Sequence, residues 1–420
     1  MISYREALAR VLEGAAPLPA RALPLAEALG LVAADDVTAR EALPPFTNAG
    51  MDGFAVRAAD VAAAGDATPV RLRVTEDLPA GRLPEHAVAA GTASRIMTGA
   101  PVPAGADAVV PVESTETVGD TVLVRRPVPA GANVRPAGED LVPGARVLAR
   151  GDVLRPAEIG LLAVAGHAAV AVHPRPRLAI VTTGDELVAV GEEPAPGHIR
   201  DANVHLLRAQ ALAVGAQPVT FERVPDRRDA VMDVLQRAAT AADVVVTTGG
   251  ISMGVYDCVK DALEALGAEC RFWRVAQKPG KPLGLWRLHG CPVLGLPGNP
   301  VSAAVVMEEY VRPLLRRLLG HARLFRPEVE AALDSAWSRR EGDDRLHLLR
   351  VHVRLEDGRR RARVSGPQGS GIVSSLAHAN ALAFLPPPRD RGQAGEDVVR
   401  AFGQDFTRFG GAQPEHGHHR

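Results

Sequence analysis

A chain of 420 residues, 46% hydrophobic and 23% charged, is too long for one ordinary core, so several domains of roughly 100–200 residues are expected. Its 48 Lys and Arg face 49 Asp and Glu, a formal charge of −1, which excludes a global basic field for nucleic acid and makes any phosphate binding local. Cys258, Cys270 and Cys291 have no CxxC spacing and read as reduced intracellular thiols. No apolar run approaches the ~18 residues of a membrane helix, and the opening MISYREALARVLEG lacks the pattern of a signal peptide. A cytoplasmic protein without membrane or nucleic-acid partners is expected.

In chain order, Ser3 and Glu6 form a capping-box signature that predicts a helix to about Leu12, with Gly14 beyond. Residues 17–50 are rich in Pro, Ala and Leu. From 54 to 150 short valine-rich runs (VRLRV, DAVVPV, TVLVRR) alternate with Gly and Pro, which predicts a small β-barrel or sandwich. From about Arg175 the pattern becomes strand, loop, helix. Leu178–Val181 and Val244–Val246 are unbroken apolar runs, as strands buried on both faces require. Helices are expected over Val204–Val214 and Cys258–Leu266, stopped by Gly215 and Gly267. After Gly320 strand alternation returns (LHLLRVHVRL), and the polar tail ending EHGHHR is expected to be disordered.

The chemistry sits in the turns. LAIVTTGDEL (178–187) and VVVTTGGISMG (244–254) echo one another: a buried strand, then Thr-Thr-Gly, then a loop or helix start. In an open α/β sheet such turns lie at the carboxyl ends of the strands, where ligands bind. Glycines let the backbone approach, and free N–H groups attract phosphate. Thr183, Gly184, Gly249, Gly250 and Ser252 are therefore candidate binding residues. One such turn could merely close a strand. Two copies, with Asp185 and Glu186 beside one and Asp257 after the other, point to a site. A third turn, LPGNPVSA (296–303), places Ser302 where a helix N-cap belongs, with Pro297 and Pro300 stiffening the corner. Pro313 is expected to kink the helix that follows.

Between these turns runs Gln277-Lys278-Pro279-Gly280-Lys281-Pro282. Pro and Gly restrict the chain around Lys278 and Lys281, and such rigid presentation of two point charges suits an oxyanion. Candidate acids are Asp52, Asp140, Glu186, Asp226 and Asp257. Asp226 could instead cap the helix after Pro225, and Asp140 could be a turn residue. Carboxylates beside phosphate turns suggest Mg²⁺, with Glu186, Asp226 and Asp257 as its ligands.

Taken together the motifs resemble the molybdopterin molybdotransferases, the MoeA family that includes the E domain of gephyrin. The resemblance runs through PFTNAGMDGFAVR (45–57), RIMTGAPVPAGADAVVPVE (95–113), RPAGEDLVPG (135–144), TTGDEL (182–187), GHIRDAN (197–203), TTGGISMGVYD (247–257), KPGKP (278–282), LPGNPVSA (296–303) and, more loosely, QGSGIVSSLAHANALAFLP (368–386). It implies an α/β plus β fold: a doubly wound molybdopterin-binding α/β domain (175–322), a discontinuous first domain (1–50 and 135–174), an inserted β domain (51–134) and a C-terminal β-barrel (323–408), with 409–420 as tail. It further implies a homodimer that inserts molybdate into adenylylated molybdopterin, assisted by Mg²⁺, releasing AMP and molybdenum cofactor, with transient contacts to other proteins of cofactor biosynthesis.

Asp52, Thr98 and Asp140 match functional family positions outside the α/β domain, which implies that the partner subunit completes the cleft. Glu186, Asp226 and Asp257 match its acidic positions, and Lys278, Lys281, Pro297 and Pro300 its rigid loops. Lys281, Ser302, Ser370 and an arginine, either Arg345 or Arg350, match the molybdate pocket. The sequence departs from the family at Ala49-Gly50, before MDG, and at Arg274, where bacterial members commonly carry Lys. A gephyrin-like scaffold and a molybdopterin adenylyltransferase remain alternatives.

Overall fold

Helix α1 (Tyr4–Leu12) begins where Ser3 leaves helical geometry at φ −72°, ψ 161° and its hydroxyl accepts the Glu6 N–H at 3.1 Å. Only half of the expected capping box forms, because the Glu6 carboxylate turns forward to Arg10 at 2.7 Å. The structure, a computed structural model, describes residues 1–250, 258–334, 337–387 and 399–400. Ser252, Asp257 and the 409–420 tail therefore lie outside the described residues. The chain divides into one unit of Met1–Arg21, Gly30–Val32 and His173–Arg420 and another of Ala22–Leu29 and Ala33–Val172.

In the second unit, six strands, β1 (Gly53–Val56), β2 (Val70–Leu78), β3 (Thr92–Ile96), β4 (Ala108–Pro111), β5 (Thr115–Val118) and β6 (Thr121–Val124), form one sheet in the order β4-β1-β3-β2-β6-β5. Only the β2–β3 pair is parallel. Period-two alternation sends Phe54 and Val56 to one apolar cluster and Ala55 to another. The expected barrel or sandwich is thus a single mixed sheet with apolar residues on both faces.

The first unit holds the α/β layer. Strands β7 (Arg177–Thr183), β8 (Gln217–Val224) and β9 (Val244–Thr248) alternate with α2 (Asn203–Val214), α3 (Arg228–Ala241) and α4 (Cys258–Ala265). β10 (Glu269–Trp273), a short β11 (Gln277–Lys278), β12 (Gly284–Leu288) and β13 (Cys291–Leu296) follow. The sheet order is β8-β7-β9-β13-β12-β10. The first four strands are parallel, and β12 and β10 add antiparallel ladders. Leu178 and Ile180 pack into the cluster containing α1 and α2, whereas Ala179 and Val181 pack into that containing α3 and α4. Both faces are covered, which is why the strands read as continuous apolar runs. Helix α2 ends at Gly215, left-handed at φ 91°.

Helix α5 (Pro300–Val306) passes into a π-turn over Met307–Val311 before α6 (Arg312–Leu318). Pro313 lacks the N–H that would bond Glu309, and its ring crowds that carbonyl; a widened turn just ahead accommodates both defects. The π-turn also brings Glu309, Tyr310 and Val311 inward together. The Tyr4 hydroxyl donates to the Glu309 carboxylate at 2.6 Å, and that of Tyr310 donates to Gln277 Oε1. Tyr4 meets Tyr310 and Phe384 edge-on at 5.4 and 5.7 Å.

The C-terminal sheet is built on β14 (Leu346–Glu356), flanked by β15 (Arg359–Val364) and β16 (Ala381–Leu385). Strand β11 pairs with β14 in parallel, Gln277 against Leu346 and Lys278 against His347. Gln277 is fully buried beneath this junction. Tyr310→Phe keeps the ring but leaves Gln277 Oε1 buried without its donor. Urea unfolding should show a loss of about 1–3 kcal/mol; an unchanged midpoint and slope would show that the bond contributes nothing.

Candidate active site

A cavity of about 580 Å³ opens between the lysine loop, the start of α5 and two loops of the C-terminal sheet. Its lining brings together Lys278, Lys281, Pro297, Ser302, Arg345 and Ser370, residues from four separate stretches of sequence. Two backbone junctions hold these walls. The Leu346 N–H donates to the Ala276 carbonyl at 2.9 Å, and the Val301 N–H to the Ser370 carbonyl at 3.1 Å. Gly280 adopts φ 97°, and a Cβ there would lie 2.5 Å from Gln277 Nε2 and 2.8 Å from Val306, so only glycine fits this turn. The Gln277 amide in turn donates to the Pro279 carbonyl at 3.0 Å.

Ser302 does not cap the helix. Asn299 occupies the cap position, Pro300 is the first helical residue, and Ser302 sits in the first turn, 4% exposed. Pro at the first helical position sets that start, because its missing N–H is one the helix leaves unpaired anyway. The two candidate arginines separate clearly. Arg345 is part of the cavity wall. Arg350 is 1% exposed; it donates through Nε to the Ser375 hydroxyl at 3.1 Å and through Nη2 to the Gly369 carbonyl at 3.1 Å. Burial lowers its pKa to about 10. Arg350 thus braces the loop that carries Ser370 and is absent from the cavity lining.

Gln277, Asn299, Trp337 and Gln368 also line the cavity. Gln277 and Asn299 stand inside motifs visible in the sequence. Gln368 opens the loosest of the quoted motifs and is held by hydrogen bonds to the Arg350 backbone, whereas Trp337 carries no local signal. A groove of about 700 Å³ beside α1 and β10 is a weaker candidate. Its Arg10 pairs with Glu6, and its Arg271 pairs with Glu13 and Glu269, so little charge is left for a ligand.

A second group gathers at the carboxyl ends of β7 and β9. Thr183 and Thr248 end these strands, and Gly249 follows at φ 91°; a Cβ there would be 2.6 Å from the Thr183 carbonyl oxygen. Gly184 and Gly250 also have positive φ. Asn203, which closes the GHIRDAN motif and is not among the candidate site residues, donates to the Gly298 carbonyl at 2.7 Å and ties α2 to the turn after β13. Asp226 does not cap α3, whose cap position is Arg227. Its N–H donates to Asp185 Oδ1 at 3.1 Å, while its own Oδ1 is buried with no hydrogen-bond partner among the described residues. Burial, then the Asp185 and Glu186 charges, push the Asp226 carboxyl above its ordinary range. Glu186 is exposed.

In the other unit, exposed Asp52 accepts from the Thr98 N–H and hydroxyl, both at 2.7 Å, and these bonds lower its pKa. Asp140 is exposed, with its N–H on the Leu43 carbonyl at 2.9 Å.

Three family models match in order: the MoeA N-terminal region (domain I and II) over residues 2–166, a probable molybdopterin binding domain over 179–317, and the MoeA C-terminal region (domain IV) over 332–399. The chain is 39% identical over 385 residues to molybdopterin molybdenumtransferase 2 of Mycobacterium tuberculosis, covering 90% of this chain and 91% of that one. It belongs to the molybdopterin molybdenumtransferase family. The molybdopterin molybdenumtransferase of Staphylococcus aureus is 32% identical over 397 residues, covering 94% of each chain. The crystal structure of the molybdopterin biosynthesis MoeA protein from Pyrococcus horikosii superposes with a TM-score of 0.79 at 31% identity, covering 96% of this chain and 99% of that one. Family membership accounts for the multidomain α/β plus β architecture.

The raised Asp226 carboxyl has a measurable consequence. Its ionised form opposes folding, so the associated stability is present at low pH and lost as pH rises through the folded-state pKa. Asp226→Asn should therefore raise the Tm of the metal-free protein at pH 7, and the gain should vanish below about pH 4, where both states hold the proton. A calorimetric scan with an unchanged or lowered Tm at pH 7 would contradict the strain assigned to this carboxyl.

Proposed function

We propose that this molybdopterin molybdenumtransferase inserts molybdate into adenylylated molybdopterin, cleaving the adenylate and releasing AMP and molybdenum cofactor. The observation that carries this reading is the convergence of two lysines, one arginine and two serines on one cavity. In a chain of net charge −1, such a cluster suits a small oxyanion, with the hydroxyls and guanidinium supplying directed donors and the lysines field. Lys281, Ser302, Ser370 and Arg345 hold molybdate in this proposal. Lys278 and the amides around Gly184, Gly249 and Gly250 hold the diphosphate, Ser252 standing beside them in sequence, while Pro297 and Pro300 keep the α5 corner rigid.

The donor set at the strand ends fits Mg²⁺. Carboxylates are hard oxygen donors, and the destabilised Asp226 carboxyl, whose Oδ1 has no hydrogen-bond partner among the described residues, gains most from a cation. Among the described residues no group of three potential ligands is gathered; Asp257 lies outside them, and phosphate oxygens of the substrate would complete the ion's shell. Glu186, Asp226 and Asp257 are the proposed ligands. When bound, Mg²⁺ supplies charge neutralisation on the phosphate oxygens. The protein's own residues position the two anions, and rate acceleration comes from that placement.

A homodimer in which Asp52, Thr98 and Asp140 of one subunit complete the cleft of the other is part of the same proposal, as is the four-domain division. These rest on the family resemblance. No helix among the described residues is long and apolar enough to cross a membrane; cytoplasmic action is part of the proposal.

Purified protein supplied with adenylylated molybdopterin, molybdate and Mg²⁺ should release AMP and form active cofactor together. Lys281→Ala should lower molybdate-dependent AMP release by about 100-fold, the order seen when one charge-stabilising group is removed from a preorganised site. Binding of adenylylated molybdopterin without AMP release would instead indicate a scaffold, and ATP-dependent adenylylation of free molybdopterin would indicate an adenylyltransferase.

A further inference from the structure

Four side chains in and behind the cavity wall form one continuous hydrogen-bonded chain. Trp337 Nε1 lies 3.0 Å from His347 Nδ1, and His347 Nε2 lies 3.0 Å from Asp343 Oδ2. Asp343 accepts from Arg345 Nε at 2.7 Å and Nη2 at 2.8 Å. Trp337 and Arg345, the two ends, line the cavity; His347 and Asp343, in the middle, have side chains 2% and 6% exposed.

The chemistry of the donors fixes the direction of every bond. An indole N–H can only donate, so His347 Nδ1 accepts and carries no proton. The proton sits on Nε2 and is donated to Asp343, leaving a neutral imidazole beside an ionised carboxylate. Charges facing the ring agree. Burial lowers the His347 pKa, and Arg339 and Lys278 lower it further against the opposing pull of Asp343. The Asp343 carboxyl is held well below its ordinary range, first by Arg345. Protonating His347 would aim Nδ1–H at the indole N–H.

We propose that His347 is a positioning residue for oxyanion recognition, acting through Asp343 to hold the Arg345 guanidinium toward the cavity. The two bonds to Asp343 occupy one edge of the guanidinium and leave Nη1 for a ligand. Arg339 clamps the Arg345 carbonyl at 2.6 Å, so the residue is fixed at backbone and side chain alike. Asp343 also offsets most of Arg345's charge, so what the arginine contributes is direction more than field. Direction is lost if the carboxylate can swing, and His347 is what stops it. Because β11 pairs Lys278 with His347, the same strand start registers the lysine loop against this arginine.

The inference rests on the reading of the cavity as the molybdate site, and its test separates the two. Molybdate binding by calorimetry and the molybdate KM for AMP release are compared in His347→Leu, His347→Gln, Arg345→Ala and the Leu/Ala double variant, with thermal melts of each. His347→Leu should raise the molybdate KM about tenfold, the lower end expected when a partner orienting a ligand-binding group is lost, with the KM for adenylylated molybdopterin unmoved. His347→Gln, which retains an N–H toward Asp343, should restore most of the affinity. In the Arg345→Ala background, His347→Leu should have no further effect. An unmoved molybdate KM in His347→Leu, or a full additive effect on Arg345→Ala, would overturn the proposal. Should His347→Leu fail to fold, Asp343→Asn takes its place with the same expected rise and non-additivity. Unchanged molybdate binding in Arg345→Ala would overturn the assignment of the cavity itself.

Discussion

The pairing of Gln277 and Lys278 with Leu346 and His347 is a ladder of only two residues, yet both walls of the cavity hang on it. It fastens the lysine loop of the α/β layer to the first strand of the C-terminal sheet. One residue before that strand's start stands Arg345, and one inside it stands His347. A slip of one residue would exchange which side chains face the cavity and which face the core, since side chains alternate along a strand. Register here is therefore chemistry. Three supports lock it: the buried Gln277 amide, the Tyr310 hydroxyl that meets it, and the Val301 to Ser370 bond on the opposite wall.

One of those supports, the Tyr310 hydroxyl, traces back to a helix defect. Pro313 cannot sit in a regular α-helix, and the π-turn that accommodates it turns Glu309 and Tyr310 inward in succession. One reaches α1 through Tyr4 and the other reaches Gln277. A residue that weakens a helix thus supplies the geometry that braces the binding loop. Local irregularity of this kind recurs where function needs a side chain that a regular element would aim elsewhere.

Charge is arranged with the same economy. The chain is nearly neutral, so an anion is drawn by local grouping. Lys278 and Lys281 are exposed point charges, whereas Arg345 is tethered to Asp343 and contributes geometry. At the strand ends the sign reverses, and burial together with the Asp185 and Glu186 charges raises the cost of ionising Asp226. The proposed cation would relieve that repulsion. The destabilised Asp226 carboxyl fits a protein that gives up stability for ligand binding.

Much was legible in the sequence because it obeyed local rules. Unbroken apolar runs at Leu178–Val181 and Val244–Val246 announced strands buried on two faces, and Gly215 announced a helix end. Thr-Thr-Gly turns and the KPGKP loop declared themselves through residues that restrict or free the backbone, and the ordered set of motifs identified the family. What the sequence left open depended on pairing between distant segments. It could not choose between Arg345 and Arg350, because both are arginines near one strand start; only burial and the strand's register turn one to the cavity and the other into the brace of the Ser370 loop. Nor could it place Ser302, which looked like a cap until Asn299 and Pro300 took the helix start. Trp337, His347 and Asp343 were silent in the sequence, for a hydrogen-bonded chain among them exists only once the C-terminal sheet has folded.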